Sequence, residues 1–249
     1  MKLETVIAER INKKIYRDGD KTIKVFDECY SKADVLNEAL NHARVEETGL
    51  NIPQLYEVTT IGGKWAIVSE FIEADNLSDL IAPDPKKYDE YMEQFVDIQM
   101  EIHSKNCPLL SRLKDKMNRK IDLTELDETT KYDLHTRIDG MKKHIKLCHG
   151  DFNPSNIIIR SDGTPFIIDW AHATQGNASA DAARTYLMFC LSGNIAGADK
   201  YLDLFCKKSG TEKKYVQSWM PIVAASQSVK QNRKEKDILL SWVNVVDYE

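Results

Sequence analysis

Cysteine is scarce and unpatterned in this chain. The five cysteines, at 29, 107, 148, 190 and 206, are odd in number, scattered and without a C-x-x-C pair. That spacing argues against a disulfide framework and a zinc site, and for free thiols in a reducing compartment. Long apolar runs are missing as well. The longest uncharged stretch, 215–229, is interrupted by Gln217, Ser218 and Pro221 and falls short of the ~20 apolar residues a membrane span needs. Nor is there an excess of basic charge: Lys and Arg total 34 against 39 Asp and Glu, a net charge of −5. The basic cluster Arg112, Lys114, Lys116, Arg119 and Lys120 is followed at once by Asp122, Glu125, Asp127 and Glu128, the pattern of solvated helix faces. Neither nucleic acid nor membrane is therefore expected as a partner. Met1-Lys2-Leu3-Glu4 opens no apolar signal region, so a cytoplasmic location is expected.

What is present is the composition of a globular protein. Of 249 residues 42% are hydrophobic and 29% charged, enough to bury a core without disulfide or metal staples, as one large domain or two lobes. The first seventy residues read as strands with one helix. Ile15 to Arg17 and Lys21 to Phe26 flank Asp18-Gly19, a type I′ hairpin signal. Lys32 to Thr48 repeats Val35, Ala39, Leu40 and Ala43 at helical spacing, and Gly49 supplies a stop. Leu55 to Val58 and Lys64 to Ile72 are strand-like and joined through Gly62-Gly63. Beyond Ala74 the texture turns helical. Tyr88 to Ser104 sets Tyr91, Phe95, Ile98 and Ile102 on one face, residues 111–145 form a charged helical excursion, and Ala180 onward is largely helical. No internal repeat is apparent. The expected architecture is a small β-rich lobe with one helix followed by a larger helical lobe, with a hinge near Glu70 to Asp75.

One β interlude in the helical half carries the chemistry. His149-Gly150-Asp151-Phe152-Asn153-Pro154-Ser155-Asn156 leads into Ile157 to Arg160. Ser161-Asp162-Gly163-Thr164 then turns the chain, and Pro165 to Ile168 runs back to Asp169-Trp170. With Asp162-Gly163 at the centre of a type I′ turn, Ile158 faces Ile167 and Asn156 faces Asp169, with Cα atoms roughly 4.5–5.5 Å apart. An amide oxygen and a carboxylate at that separation suit Mg²⁺, which takes one or two protein oxygens and completes its octahedron with water and phosphate. Asp151, on a loop that Pro154 keeps from being helical throughout, lies near the same ion and is the candidate to accept a proton from an attacking hydroxyl. Each of these residues alone also reads as a turn cap; the convergence of three favours chemistry.

These motifs resemble those of the aminoglycoside phosphotransferase and choline kinase family, whose members share an α+β, protein kinase-like, two-lobed fold. The resemblance spans nearly the whole chain. It implies a nucleotide-binding lobe over residues 1–72 and a catalytic and acceptor-binding lobe over 73–249. Lys24 is similar to the strand lysine that holds the α- and β-phosphates, and Glu38 to its ion-pair partner. Val68 to Ile72 resembles the hinge whose backbone meets the adenine, which singles out Glu70 and Ile72. Ile102-His103 to Pro108 matches the family's "LH…P" helix end, and Asp181 resembles the aspartate that ties down the catalytic loop. His149 reads as a structural brace for that loop.

The implied activity is an ATP-dependent phosphotransferase acting on an alcohol group. ATP and Mg²⁺ are its cofactors, with GTP left open, and Asn156 and Asp169 hold the metal. The acceptor is a small hydroxyl-bearing molecule, aminoglycoside-, choline- or sugar-like, and the protein is a monomer or weak dimer. Trp219, Trp242, Tyr215, Tyr248, Asp199 and Asp247 would suit an amine through cation–π and charge contacts, but aromatics at helical spacing are more commonly plain core. The segment Ala8 to Lys14 reads as the phosphate-loop connection and contains no glycine. Arg10, Asn12 or Lys13 could contact phosphate by side chain there, or the segment could be a plain solvated connection. The alternative of another class is a catalytically weak pseudokinase that binds nucleotide or a partner. A protein kinase ranks below both, since the eleven residues between Asp169 and Asp181 are too few for a peptide-docking segment.

Overall fold

The computed structural model describes residues 3, 5–10, 12–81, 87–229 and 233–243. Ile11, Asp247 and Tyr248 lie outside the described residues. In chain order the elements are β1 (Thr5–Arg10), β2 (Lys13–Asp18), β3 (Lys21–Phe26), α1 (Lys32–Glu46), β4 (Leu55–Ile61), β5 (Lys64–Glu70), β6 (Asp75–Asn76) and α2 (Leu77–Ile81). They continue with α3 (Tyr88–Ser104), α4 (Leu113–Asp122), α5 (Glu128–Gly140), β7 (Lys146–Cys148), β8 (Ile157–Ile159), β9 (Pro165–Ile167) and β10 (Thr174–Gly176). Helices α6 (Ala178–Leu191), α7 (Ile195–Ser209), α8 (Lys213–Gln217), α9 (Met220–Ser228) and α10 (Arg233–Val243) complete the chain. Among the described residues no helix is long and apolar enough to cross a membrane. The chain divides into two compact units, Met1–Pro83 with Pro154–His172, and Asp84–Asn153 with Ala173–Glu249.

The first unit is built on an antiparallel sheet in the order β1-β2-β3-β5-β4. Side chains alternate across it. Ile23, Val25, Ala66 and Val68 pack on one face, while Phe26 and Ile67 join Val35 and Ala39 of α1 on the other. Ser31 caps α1 by accepting from Asp34 N, as its short hydroxyl suits. The buried stripe of α1 is Val35, Ala39 and Val45; Leu40, expected on it, is exposed, because the stripe follows the face on which Glu38 also lies.

Two hairpins differ from expectation in the same way. Asp18 pairs with Lys21, so the turn centre is Gly19-Asp20 and only Gly19 takes positive φ, at 61°. In the β8–β9 hairpin Gly163 N donates to Arg160 O at 2.8 Å and Arg160 N to Thr164 O at 3.0 Å. This is a three-residue loop with Gly163 in the left-handed region (φ 84°), not a type I′ turn. Both expected turns needed an aspartate at positive φ; both observed turns give that conformation to glycine alone, where it meets no Cβ penalty. The register moves by one residue: Ile158 opposes Phe166, Ile157 opposes Ile167, and Ile168 N donates to Asn156 O at 3.0 Å. Asn156 therefore opposes Ile168 rather than Asp169.

The second unit is helical apart from the β7–β10 ladder, in which Cys148 opposes Thr174 and Lys146 opposes Gly176. That ladder delivers the chain directly into His149. Its core includes Phe95 of α3 stacked on Phe152 with ring centroids 4.4 Å apart. Gly176 allows α4 to close on β10: a Cβ there would stand 2.5 Å from Leu113 Cβ. Gly176→Ala is therefore expected to cost about 1–3 kcal/mol through overpacking. Urea unfolding checks this, and a variant as stable as the parent would contradict the packing described.

Candidate functional site

In the first unit, strand alternation puts Lys24 on the α1 side of β3, between Ile23 and Val25, which face the other way. Its ammonium meets Glu38 Oε1 at 2.6 Å and Asp169 Oδ1 at 3.4 Å. Burial by itself pushes the Lys24 ammonium toward neutrality, but the Asp169 and Glu38 carboxylates outweigh it and hold the group charged, above the usual lysine range. A second cation reaches the same carboxylate: Lys13 Nζ, from the start of β2, stands 3.2 Å from Asp169 Oδ2.

Asp169 is held from several directions. Ile167 N donates to Asn51 O at 2.9 Å, and the fully buried Trp170 donates through Nε1 to Ile167 O at 3.2 Å. Asn41 Nδ2 of α1 donates to Ala171 O at 3.3 Å, tying the helix that carries Glu38 to the segment that carries Asp169. Asp169 itself has φ 63°, the one non-glycine residue at positive φ among the described residues. An aspartate tolerates that conformation at a cost of order 1–3 kcal/mol, which the surrounding contacts must offset. The buried Asn156 stands at the same open end of the hairpin, one register step from Asp169.

The segment after β5 is fixed by its own backbone. Glu70 N donates to Gln54 O at 2.8 Å, Gln54 N returns a bond to Glu70 Oε2 at 3.2 Å, and Phe71 N donates to Asp20 O at 2.8 Å. Arg17 lies over the Phe71 ring at 4.0 Å. Among the described residues the Ile72 N–H has no partner, so it is a donor available to a ligand.

In the second unit the loop 149–153 is knotted to α6. Asp181, fully buried, accepts from Gly150 N at 2.7 Å and His149 N at 3.1 Å, and from His103 Nε2 at 3.0 Å. Burial acts to raise its pKa, but the hydrogen bond and charge of His103, with His149 and the Gly150 N–H, hold it below the usual carboxylate range. Gly150 takes φ 78°, which a side chain would strain. Asp151 N donates to His149 Nδ1 at 3.2 Å, and Thr185 Oγ1 donates to Phe152 O at 2.8 Å. His103, Cys148 and Asp181 lie close enough together to suggest a metal centre. The Cys148 thiol contacts Lys146 O and Asn177 O and the loop amides engage Asp181, so these groups tie the loop to α6.

Sequence reasoning missed Arg184. Its Nη2 donates to Asp151 Oδ1 at 3.3 Å, while its Nε and Nη1 are buried with no hydrogen-bond partner among the described residues. The available signal was charge: Arg184 is the single charged residue between Asp181 and Asp199. The expected aromatic group divides. Trp219 is buried and Tyr215 accepts from Asn177 Nδ2 at 2.7 Å, both in packing roles. Trp242 meets Tyr186 edge-on at 5.9 Å, and Tyr186 donates to Asp199 Oδ1 at 3.3 Å.

Among curated proteins compared by sequence, none matches this chain. Solved structures do. The chain is similar to a thermostable mutant of the aminoglycoside phosphotransferase APH(4)-Ia in its apo form, at 14% identity and a TM-score of 0.71, over 96% of this chain and 92% of that one. The same enzyme in a ternary complex with AMP-PNP and hygromycin B gives 13% and 0.68 over 96% and 89%. The choline kinase LicA from Streptococcus pneumoniae gives 15% and 0.67 over 98% and 93%. At these identities the likeness establishes the fold, α+β and protein kinase-like. Residues 8–214 match the profile of the Phosphotransferase enzyme family (APH), which covers most of the sequence. The chain belongs to that phosphotransferase family.

Proposed function

We propose that this protein transfers the γ-phosphoryl group of ATP to a hydroxyl of a small acceptor, aminoglycoside-, choline- or sugar-like. The observation that carries the reading is the Lys24 ammonium held charged between Glu38 and Asp169. A charge so anchored is ready to meet nucleotide phosphates without first being ordered, and alignment with charge neutralisation is most of what phosphoryl transfer requires. The AMP-PNP in the ternary complex of the related aminoglycoside enzyme supports nucleotide use here.

Residues 1–72 bind the nucleotide and residues 73–249 supply catalysis and the acceptor site. The Glu70–Ile72 backbone takes the adenine, with the Ile72 N–H as donor. Asp169 and Asn156 would hold Mg²⁺. The fit is chemical: an amide and a carboxylate are hard oxygen ligands, and both Asp169 oxygens already attract cations, Lys24 on one and Lys13 on the other. When bound, Mg²⁺ would supply further positive charge against the phosphate oxygens. Asp151 accepts the proton of the acceptor hydroxyl, from a loop that Asp181 keeps in shape. Arg184 steadies Asp151 through its Nη2.

Two outcomes test this. MgATP at about 100 times its Kd should stabilise the protein by about 2.7 kcal/mol, read as a rise in melting temperature that Asp169→Ala removes. In a transfer screen over aminoglycosides, choline, ethanolamine and sugars, mass analysis should find an added phosphoryl group on one acceptor. There Asp169→Ala abolishes turnover, and Glu38→Ala lowers kcat by about 10- to 100-fold through loosened lysine placement. Nucleotide binding with no transfer to any acceptor and no ATP hydrolysis would instead support the pseudokinase reading.

A further inference from the structure

The reading above gives Lys13 no part toward the nucleotide, yet its ammonium is turned inward. A lysine at the end of an edge connection ordinarily extends into water. Here the side chain is only 17% exposed and its Nζ stands 3.2 Å from Asp169 Oδ2. The backbone around it makes this position unusual. Strands β1 and β2 are joined through the Arg10–Lys13 pair, and no glycine occurs before Gly19. Most of the segment 8–14, expected as an open loop, is strand. A connection in which every residue carries a Cβ brings its amides to phosphate less readily than glycine allows. A side chain is then the readier phosphate contact, and Lys13 is the one whose charge is already directed at Asp169.

We propose that Lys13 replaces a glycine-rich backbone as the phosphate-gripping group of this connection, and that without nucleotide its ammonium holds the Asp169 oxygen that a divalent cation would otherwise take. This rests on the phosphotransferase reading and deepens it. A divalent ion held by Asp169 would draw on the same carboxylate oxygen. An ammonium 3.2 Å from the same oxygen would be left close to a doubly positive ion, so the two cations compete. Nucleotide resolves the competition by bringing negative charge: the ammonium moves to phosphate and the carboxylate is released to the metal. Metal and nucleotide then bind with positive coupling, and the coupling runs through Lys13.

The test separates two effects of opposite sign in one variant. In Lys13→Met, Mn²⁺ titrated by electron paramagnetic resonance in the absence of nucleotide should bind more tightly, by about 5-fold or more, within the usual range of coupling between sites. MgATP affinity, measured by calorimetry on the same protein, should weaken by about 10-fold, a size typical of losing one charge-assisted contact. Lys13→Arg, which keeps the charge, should leave Mn²⁺ binding near the parent value and so guards against a general folding effect. Weakened binding of both ligands, or no change in either, overturns the inference. Asp169→Ala and Lys24→Met serve as references. If both bind MgATP as the parent does, the phosphotransferase reading itself falls; if they lose MgATP and Lys13→Met does not, only the role of Lys13 falls.

Discussion

A part-buried ammonium between two carboxylates organises the first unit. Burial alone pushes the Lys24 ammonium toward neutrality, and Glu38 and Asp169 outweigh it and hold it charged. Satisfying all three constrains three separate segments. β3 must present Lys24 on its helix-facing side, α1 must turn Glu38 inward, and the end of the β8–β9 hairpin must bring Asp169 to the same place. The contacts that achieve this are ordinary: a serine cap on α1, Asn41 bonded to Ala171, and Trp170 packed beneath its own turn. The unusual contact is the second one to Asp169, from Lys13, which places two ammonium groups on one carboxylate. A carboxylate so placed suits a site where cations are exchanged.

The second unit solves a different problem. The loop at residues 149–151 has no ladder of its own, so its backbone amides need another partner. Asp181 serves by accepting two successive amides, and its own burial is made tolerable by His103. The cost of a fully buried carboxylate is thereby converted into a fixed shape for residues 149–151. Arg184 extends the same logic: two of its nitrogens have no partner among the described residues while the third holds Asp151. A guanidinium is a poor choice for packing alone, since an aliphatic side chain would avoid the unpaired donors.

Much of this was legible in the sequence, and the failures have one physical source. Elements with strong periodicity appeared where expected: α3 spans Tyr88–Ser104 with Phe95, Ile98 and Ile102 buried, and the Gly62-Gly63 turn has both residues at positive φ. Turn chemistry misled when aspartate was given a left-handed role. At Asp18-Gly19 and Asp162-Gly163 the chain used the glycine alone, and the strand register moved by two residues in the first hairpin and by one in the second. The pairing of Asn156 with Asp169 was inferred from that register; in the structure Asn156 opposes Ile168, and Asp169 takes a left-handed backbone that has no local signature. Lys24 and Glu38 were singled out through family resemblance, and the structure sets their charged groups 2.6 Å apart. Arg184 and the inward Lys13 were missed or left open because long polar side chains are read by default as solvated.

The central claim is that the Lys24–Glu38–Asp169 group receives the phosphates of a nucleotide. A crystal structure of the protein grown with Mg²⁺ and AMP-PNP examines that directly. The account requires phosphate oxygens within hydrogen-bonding distance of Lys24 Nζ, metal on Asp169, and the Lys24–Glu38 pair intact. Nucleotide bound elsewhere, or bound with Lys24 still engaged only by its two carboxylates, would contradict it.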